Sequence, residues 1–139
     1  MALTRQQLVD HCLAFPAAYE DYPFDRPDAP GAWTVMRHES NRRSFALIYD
    51  RGAGLRVNLK CDPAEAIALR QVFEGVTPAY HMNKTHWNTV AVDSDVPTDE
   101  LLWQIAHSYD LIKPRPRAVN PRGPRTPRSP AGRSSLPPR

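Results

Sequence analysis

The sequence predicts an α+β domain: an antiparallel β-sheet with helices packed on one face, in the order α-β-β-β-α-β-α, followed by a disordered tail. Three strand-like segments follow one another with no helical segment between them, which excludes the helical crossovers of an α/β fold. Amphipathic helical segments stand before and after these strands. The last 27 residues are rich in proline and arginine, a composition that does not support a packed core. We therefore place one domain at residues 1–112 and a Pro/Arg-rich basic tail at 113–139.

The helices are predicted from capping signals and from apolar residues that recur on one face. Thr4 and Gln7 have the spacing of a capping box at the start of the first helix. Asp62 as N-cap and Pro63 at the first helical position begin the second helix, and Gly75 ends it. The third helix has an acidic start, which suits the helix dipole. The predicted spans are about Arg5–Ala14, Pro63–Phe73 and, for the third helix, a segment that ends near Leu111.

Four segments have the residue types and spacing of β-strands. The third of them alternates strictly, with leucine and valine on one side and Arg56, Asn58 and Lys60 on the other. The first three are joined by short connections, as in hairpins. We therefore expect an antiparallel meander with one covered face and one solvent-exposed face. The predicted strands are Ala32–Met36, Ser44–Tyr49, Leu55–Lys60 and about His86–Val92.

The orientation of the fourth strand is left open by its sequence. A period of two places Val90 and Val92 on one face together with Asn88, and Trp87 on the other face. If the valines face the core, Trp87 lies on the exposed face and is available for stacking. If the large Trp87 faces the core, the valines are exposed.

Charge divides the chain into two parts of opposite sign. The 139 residues include 18 basic and 15 acidic side chains, for a formal charge of +3. All of the acids lie in residues 1–112, so this part carries −5 and the tail carries +8. A uniformly basic nucleic-acid-binding domain is therefore excluded. The tail is expected to attract nucleic acid, anionic lipid or acidic protein partners by charge alone.

No segment has the pattern of a secretory signal or of a membrane span. The two cysteines, Cys12 and Cys61, are far apart in the sequence and do not form a disulfide framework. We therefore expect a cytoplasmic monomer with reduced thiols and no membrane partner.

Motifs that carry catalysis, metal or cofactors do not occur in the sequence. There is no CxxC, HExxH or EF-hand spacing, and no glycine-rich phosphate loop or GxSxG elbow. His81 and His86 are five residues apart and lack further ligands of a metal set. Cys61 precedes the second helix, whose dipole favours a thiolate, but a lone cysteine beside a strand is more often a small buried residue. We therefore predict a non-enzymatic protein without a metal or cofactor.

A binding surface is the functional hypothesis that these residues favour. Phosphate contacts require lysine, arginine and amide donors, and stacking requires an exposed aromatic ring. The predicted exposed sheet face, the first hairpin loop and the segment before the fourth strand provide these groups. An ordinary charged sheet face is the alternative that the same residues allow. The candidate nucleic-acid contacts are Arg37, Arg42, Arg43, Arg56, Asn58, Lys60, Lys84, His86, Trp87 and Asn88.

Four motifs of the chain closely resemble the MmcQ/YjbR family, in the order in which the family has them. They are "DYPF" at 21–24, "NLKCDP" at 58–63, "PAYHMNKTHWNTV" at 78–90 and "SYDL" at 108–111. The resemblance covers roughly residues 1–112, and the central motif is the most specific. The basic tail lies outside it. The residues typical of the family fall on Asn58, Lys60, Pro78, His81, Asn83, Lys84, His86, Trp87, Asn88 and Tyr109.

The resemblance implies a frataxin-like (CyaY-like) α+β fold and a DNA-binding function with a double-wing mode of contact. It implies no catalytic residues. Frataxins proper deliver iron through a row of acids on the first helix, whereas the first helix here has only Asp10, so iron delivery is not implied. The alternative is a protein-interaction or small-ligand-binding module on the same fold, for which a concave pocket near His81, Lys84 and His86 would be evidence.

Overall fold

The computed structural model describes residues 3–24, 33–52 and 54–115. These residues form three α-helices and one six-stranded antiparallel sheet with the strand order β1-β2-β3-β4-β6-β5. The α+β class and the antiparallel sheet are confirmed. The elements along the chain are α1 (Arg5–Leu13), β1 (Ala18–Asp21), β2 (Thr34–His38), β3 (Ser44–Arg51), β4 (Gly54–Lys60), α2 (Pro63–Val72), β5 (Val76–Pro78), β6 (Trp87–Ala91) and α3 (Thr98–Ile112).

The predicted order α-β-β-β-α-β-α was wrong, because it lacked the two edge strands β1 and β5. β1 has four residues and leads into a proline-rich segment, and β5 has three residues and ends at Pro78. Such short strands with proline nearby are typical of sheet edges and carry little periodic signal. The observed order is α-β-β-β-β-α-β-β-α. The tail was predicted to be disordered over residues 113–139, and residues 116–139 lie outside the described part of the chain. Ala32, the first residue of the first predicted strand, also lies outside it.

The three helices pack on one face of the sheet and enclose the main core. The core contains Leu8, Cys12, Val57, Val90 and Ile105, which come from α1, β4, β6 and α3. Burial of such aliphatic side chains is the main stabilising contribution to a domain of this size.

The predicted start of α1 is confirmed in atomic detail. The Thr4 hydroxyl accepts a hydrogen bond from the Gln7 amide at 3.1 Å, and the Gln7 side chain accepts one from the Thr4 amide at 2.9 Å. At the start of α2, Pro63 occupies the first turn as predicted, but the Asp62 side chain makes no capping bond. The Asp62 carbonyl instead accepts the first helical bond, from the Ala66 amide at 2.8 Å.

Helix α3 is fixed to the centre of the sheet by polar groups as well as by apolar contacts. The buried Ser108 hydroxyl donates to the Phe45 carbonyl at 2.6 Å and accepts from the Lys60 amide at 2.9 Å. One residue later, the Tyr109 hydroxyl donates to the Pro16 carbonyl at 2.5 Å, and its ring stacks on Phe15 at 4.7 Å. These contacts tie α3 to β3, to β4 and to the segment that follows α1.

No helix of the described residues lies on the second face of the sheet, but the centre of this face is not exposed as the alternation predicted. All five residues of the run 45–49 in β3 are buried. On the helix-free face Val35, Leu47 and Tyr49 are covered by Trp33 and by the segment that follows β5. A continuous apolar run of this kind is typical of a strand with both faces covered.

Candidate functional site

The helix-free face contains Trp87, which answers the question that the fourth strand left open. Val90 lies in the core, and Asn88 reaches α2, where it donates to the Ala66 carbonyl. Side chains alternate along β6, so Trp87 points to the opposite, helix-free side. There it stands directly across from Lys60 in the antiparallel pair of β4 and β6. Its side chain is half-buried.

A basic cleft lies around Trp87 at one end of this face. Its volume is about 250 Å³. The turn between β2 and β3 supplies two arginines, β2 and β4 supply one cation each, and β6 supplies the aromatic ring. The residues of this basic cleft are Arg37, Arg42, Arg43, Ser44, Lys60, Trp87 and Ile112.

The cations of the basic cleft differ in how they are held. The Arg37 guanidinium donates to the Asp21 carboxylate at 2.8 Å and to the Arg42 carbonyl at 2.9 Å, so it is fixed in place. Within residues 3–24, 33–52 and 54–115, Arg42, Arg43 and Lys60 have no carboxylate partner. Burial, and then the charge of nearby Arg43, lower the pKa of Lys60. The basic cleft therefore holds positive charge that is not neutralised within the described chain.

The backbone of the β2–β3 turn is shaped to present these arginines. Arg42 has a φ of +60°, in the left-handed region that non-glycine residues seldom adopt. The Asn41 side chain accepts the Arg43 amide at 2.9 Å and donates to the Ile112 carbonyl at 2.8 Å. The turn is thereby fixed against the end of α3, and the two arginine side chains extend from it into solvent.

Other predicted contacts lie elsewhere on the protein. Arg56 lies on the helix-free face at the opposite end, near the β3–β4 turn. Lys84 and His86 are exposed in the segment between β5 and β6, outside the lining of the basic cleft. The structure therefore brings together five of the predicted residues and leaves these three apart from them. The five are Arg37, Arg42, Arg43, Lys60 and Trp87.

The two predicted asparagines are buried and hydrogen-bonded within the protein. Asn58 is fully buried, where it accepts from the Tyr49 hydroxyl at 2.9 Å and donates to the Tyr80 carbonyl at 2.9 Å. Asn88 accepts from the Arg70 guanidinium at 2.6 Å on the helix side of the sheet. Their hydrogen bonds connect strands, a loop and a helix. They provide the partners that polar groups require when they are buried away from water.

The segment 79–86 folds back over the middle of the helix-free face. The Asn83 side chain accepts from the amides of Thr85 and His86 at 2.9 and 3.2 Å, and the Lys84 carbonyl accepts from Arg70. His81 has a φ of +61°, again in the left-handed region. The polar residues of this segment thus fix its turn, while the His81 side chain itself is exposed.

An aromatic cavity lies under this segment, and His81 lines it, whereas Lys84 and His86, near which a concave pocket was also sought, do not. It has a volume of about 430 Å³. Leu47 belongs to β3, Trp33 directly precedes β2, and Tyr80, His81 and Met82 belong to the segment 79–86. The apolar run of β3 and the aromatic residue before β2 were the available signals, because together they indicate a second buried layer. The residues of this aromatic cavity are Phe24, Trp33, Leu47, Tyr80, His81 and Met82.

Charges are segregated between the two sides of the domain. Arg37, Arg56 and Lys60 lie on the helix-free face, and Arg43 lies in the turn beside it. The Asp21 carboxylate is paired with Arg37. Most of the described acidic residues lie on the helices or on the loops beside them. These are Asp10, Asp62, Glu65, Glu74, Asp93, Asp95, Asp99, Glu100 and Asp110. The negative charge of the described residues is therefore concentrated on the helix side, while Asp21 and Glu39 lie near Arg42, with which they line a neighbouring pocket.

The described residues contain neither a cluster of metal ligands nor a helix that could span a membrane. No three His, Cys, Asp or Glu side chains come together there as a group that could hold a metal ion. None of the helices in the same residues is both long enough and apolar enough to cross a membrane.

Comparison with known proteins decides the family. The YjbR family model matches residues 13–111. The chain belongs to the YjbR family. Protein YjbR of Escherichia coli (strain K12), an uncharacterized protein, is 29% identical over 107 residues, which cover 77% of this chain and 85% of that protein. Protein YyaQ of Bacillus subtilis (strain 168), also uncharacterized, is 30% identical over 122 residues and is covered to 99%.

Two solved structures have an architecture similar to that of this chain. The crystal structure of a Pseudomonas syringae protein has a TM-score of 0.70 and 30% identity, and the match covers 80% of this chain and all of that one (100%). The Deinococcus radiodurans protein DR2400, with the family-model domain DUF419, has a TM-score of 0.68 and 34% identity, with 78% of each chain covered.

Proposed function

We propose that this YjbR-family protein binds DNA through the basic cleft of the helix-free sheet face and has no catalytic role. The observation that carries the proposal is the group of Arg42, Arg43 and Lys60 around Trp87, without a carboxylate partner among the described residues. Cations held in this way favour a phosphate chain, because each phosphate that they contact releases counterions. An adjacent aromatic ring adds a surface on which a base can stack.

The shape of the sheet supports the proposal. The β2–β3 turn projects Arg42 and Arg43 beyond the end of the sheet, as a wing that could follow a groove. The β3–β4 turn, with Arg51 and Arg56 beside it, lies at the opposite end. Two basic turns that flank one face correspond to the double-wing contact implied by the family resemblance. The proposal includes a frataxin-like architecture without iron delivery. Iron delivery by frataxins requires a row of acids on the first helix, whereas α1 has one acid, Asp10, and also contains the basic Arg5.

The basic tail enters the proposal as a second, non-specific source of affinity. Its charge of +8 exceeds the −5 of residues 1–112 in magnitude. Electrostatic attraction of this kind accelerates encounter and does not discriminate between sequences. We therefore expect the tail to strengthen binding to any DNA and the basic cleft to set its geometry.

The test is a salt titration of binding by the full-length chain to a fluorescently labelled duplex. We expect the logarithm of the binding constant to fall linearly with the logarithm of salt concentration. The variant Arg42→Asn/Arg43→Ala should lower the slope by about 1.8, because about 0.9 is lost with each phosphate contact. Asparagine is chosen at Arg42 because it tolerates the left-handed backbone there. The charge-preserving variant Arg42→Lys/Arg43→Lys is the matched control and should retain the slope.

A second variant separates the tail from the folded domain without shortening the chain. Replacing the tail arginines with glutamine removes most of its charge and should weaken binding without abolishing it. If this variant no longer binds duplex at low salt, or if the cleft variant binds as the wild type does, the basic cleft is not a DNA-binding site.

A further inference from the structure

The aromatic cavity lies on the same face as the basic cleft and has a different chemistry. Trp33 stacks on Tyr49 with ring centroids 4.0 Å apart and planes 4° from parallel. Tyr80 lies 6.3 Å from Trp33 and 3.9 Å from the His81 ring. The cavity therefore has flat, mostly aromatic walls, with one exposed imidazole as a polar group at its edge.

A flat cavity of this kind selects a flat ligand. Aromatic rings are stabilised by stacking on other rings, and contact of this kind with a nucleobase is tolerant of sequence because every base has a π-face. The volume of about 430 Å³ is within the range of small-ligand pockets and is sufficient for one base with its sugar. His81 provides a donor or acceptor for the edge of a base.

Positive charge stands beside this cavity as well. The Arg51 guanidinium carbon lies 4.0 Å from the centroid of the Tyr80 ring, in a cation–π contact. Burial raises the pKa of Tyr49, whereas the positive charges of Arg51 and Arg56 lower it. Both arginines therefore lie close enough to the Tyr49 hydroxyl to act on its charge. No carboxylate among the described residues pairs with either arginine. The phosphate of a nucleotide whose base is bound in the cavity would therefore lie near two arginines that are free to contact it.

The cavity and the basic cleft are close enough for one strand to occupy both. Leu47 lines the cavity and Ser44 lines the basic cleft, three residues apart on β3. At about 3.4 Å per residue this separation is roughly 10 Å. A phosphodiester chain that lies along the basic cleft can therefore place a neighbouring base in the cavity.

We infer that the aromatic cavity binds one nucleobase, from either an unpaired position in a DNA strand or a free mononucleotide. In the DNA case the inference rests on the proposed function and makes it more specific, because a base must be out of the duplex to enter the cavity. The protein then binds single-stranded or locally unpaired DNA more tightly than a fully paired duplex. Arg51 and Arg56 contact the phosphate of the bound nucleotide.

The experiment compares three oligonucleotides and a pair of small probes against the full-length chain at one salt concentration. The oligonucleotides are of equal length: a single strand, an abasic sugar-phosphate strand and a paired duplex. The small probes are dAMP and deoxyribose 5-phosphate, its baseless counterpart. We expect the single strand to bind roughly a hundredfold more tightly than the abasic strand, because one base stacks in the cavity and one on Trp87, and each contributes about tenfold. A 2-aminopurine in the single strand should lose fluorescence when it stacks in the cavity.

Two variants of the cavity and one control assign the effect to it. Trp33→Ala removes one wall, and Met82→Trp fills the cavity from the surface segment while leaving the core in place. Both should reduce the preference for the base-containing strand roughly tenfold, leaving the part that stacking on Trp87 contributes. Trp103→Ala, which removes a half-exposed tryptophan that stacks on His107 on the helix side, should leave the preference unchanged. Thermal unfolding verifies that each variant is folded.

The outcomes separate this inference from the proposed function. Equal binding of the base-containing and abasic strands by the wild type would overturn the inference, while salt-dependent binding of both would still support the basic cleft. A preference that Met82→Trp leaves undiminished in a folded protein would overturn it too. Tight binding of dAMP without binding of any oligonucleotide would support the cavity as a free-nucleotide site and reject the proposed function. Stronger binding of the single strand than of dAMP identifies the strand as the source of the base.

Discussion

Lys60 and Trp87 stand directly opposite each other on β4 and β6, on the face of the sheet that carries no helix. The pair places a cation beside a half-buried aromatic ring, with Arg43 close enough to lower the pKa of Lys60 further after burial has lowered it. In such a site the charge and the ring act on a nucleic acid in different ways. The charge contributes a salt-dependent attraction to phosphate, whereas the ring contributes stacking.

The first prediction separates these two contributions. Lys60→Gln should reduce the salt slope of DNA binding by about 0.9, because one phosphate contact is lost. Trp87→Ala should weaken binding roughly tenfold at every salt concentration and leave the slope unchanged, because stacking is not an ion-exchange process. Fluorescence anisotropy over a range of salt concentrations measures both quantities. Identical effects of the two substitutions would contradict the assignment of separate roles, and Trp103→Ala provides the control.

The second prediction concerns Asn58, a candidate contact that the structure places inside the fold. It accepts from Tyr49 and Thr89 and donates to the Tyr80 carbonyl, so its amide holds the segment 79–86 over the sheet. Asn58→Ala removes three hydrogen bonds in a buried site, and the two hydroxyls keep only their 3.4 Å contact with each other and the bond from the Tyr80 amide to Thr89. We expect the free energy of unfolding to fall by roughly 2 to 4 kcal/mol.

Urea unfolding measures this change, and Gln71→Ala is the control because it removes an exposed amide on α2. The control should change the free energy of unfolding by less than about 0.5 kcal/mol. A loss of DNA affinity in Asn58→Ala without any loss of stability would instead show that Asn58 contacts the ligand.

The main elements could be predicted because their sequence signals are local. The capping box at Thr4 and Gln7, proline at the start of α2 and the alternation of β4 each depend on neighbouring residues. Edge strands β1 and β5 carry only three or four residues, and their pairing depends on partners distant in sequence. Propensity is weak for such segments because tertiary contacts decide them.

The candidate site was only partly predictable for a related reason. The residue types in the basic cleft follow from the sequence, but their meeting depends on the register of β4 with β6 and on the position of the β2–β3 turn. Alternation correctly placed Asn58 and Lys60 on one face of the sheet. It could not show that the segment 79–86 covers Asn58 and leaves Lys60 accessible. A loop that folds over a sheet leaves no periodic signal in the strand beneath it.

The third prediction concerns the close approach of Gly75 to the β6–α3 loop. A methyl group on Gly75 would lie 2.1 Å from the Ser94 hydroxyl oxygen, whereas one on Gly52 would meet nothing within 4 Å. The Gly75 and Glu74 amides both donate to the Asp95 carboxylate, at 2.7 and 2.8 Å, so the two loops cannot easily separate. Gly75→Ala should therefore lower the free energy of unfolding by roughly 2 to 3 kcal/mol through overpacking.

The comparison is Gly52→Ala, where the positive φ of 57° is the only cause of strain. It should cost about 1 kcal/mol. Adding Ser94→Gly to Gly75→Ala removes the clashing side chain and should restore part of the lost stability. If Gly75→Ala is no more destabilising than Gly52→Ala, the loops are not held as closely as the structure shows.

The fourth prediction concerns the two buried cysteines. Burial raises the pKa of Cys12 to about 12, and burial followed by the charges of Glu65 and Asp62 raises the pKa of Cys61 to about 11. Both thiols therefore remain protonated at neutral pH, and the thiolate is the reactive form. We expect the native protein to react slowly with a thiol reagent at pH 8 and both thiols to react once it is unfolded. Thr85→Cys, at an exposed position, should react at once.

The same shifts fix the direction of a pH effect on stability. The thiols of the unfolded chain ionise near their ordinary pKa of 9.0, while those of the folded protein remain protonated to higher pH. Between these values the folded state binds more protons, so the stability that is fully present below pH 9 is lost as the pH rises toward the folded pKa. Replacing Cys12 with alanine should flatten this decline, beyond the loss of stability caused by the smaller side chain. An unchanged slope between pH 9 and 11 in the Cys12→Ala variant would mean that Cys12 is not the titrating group.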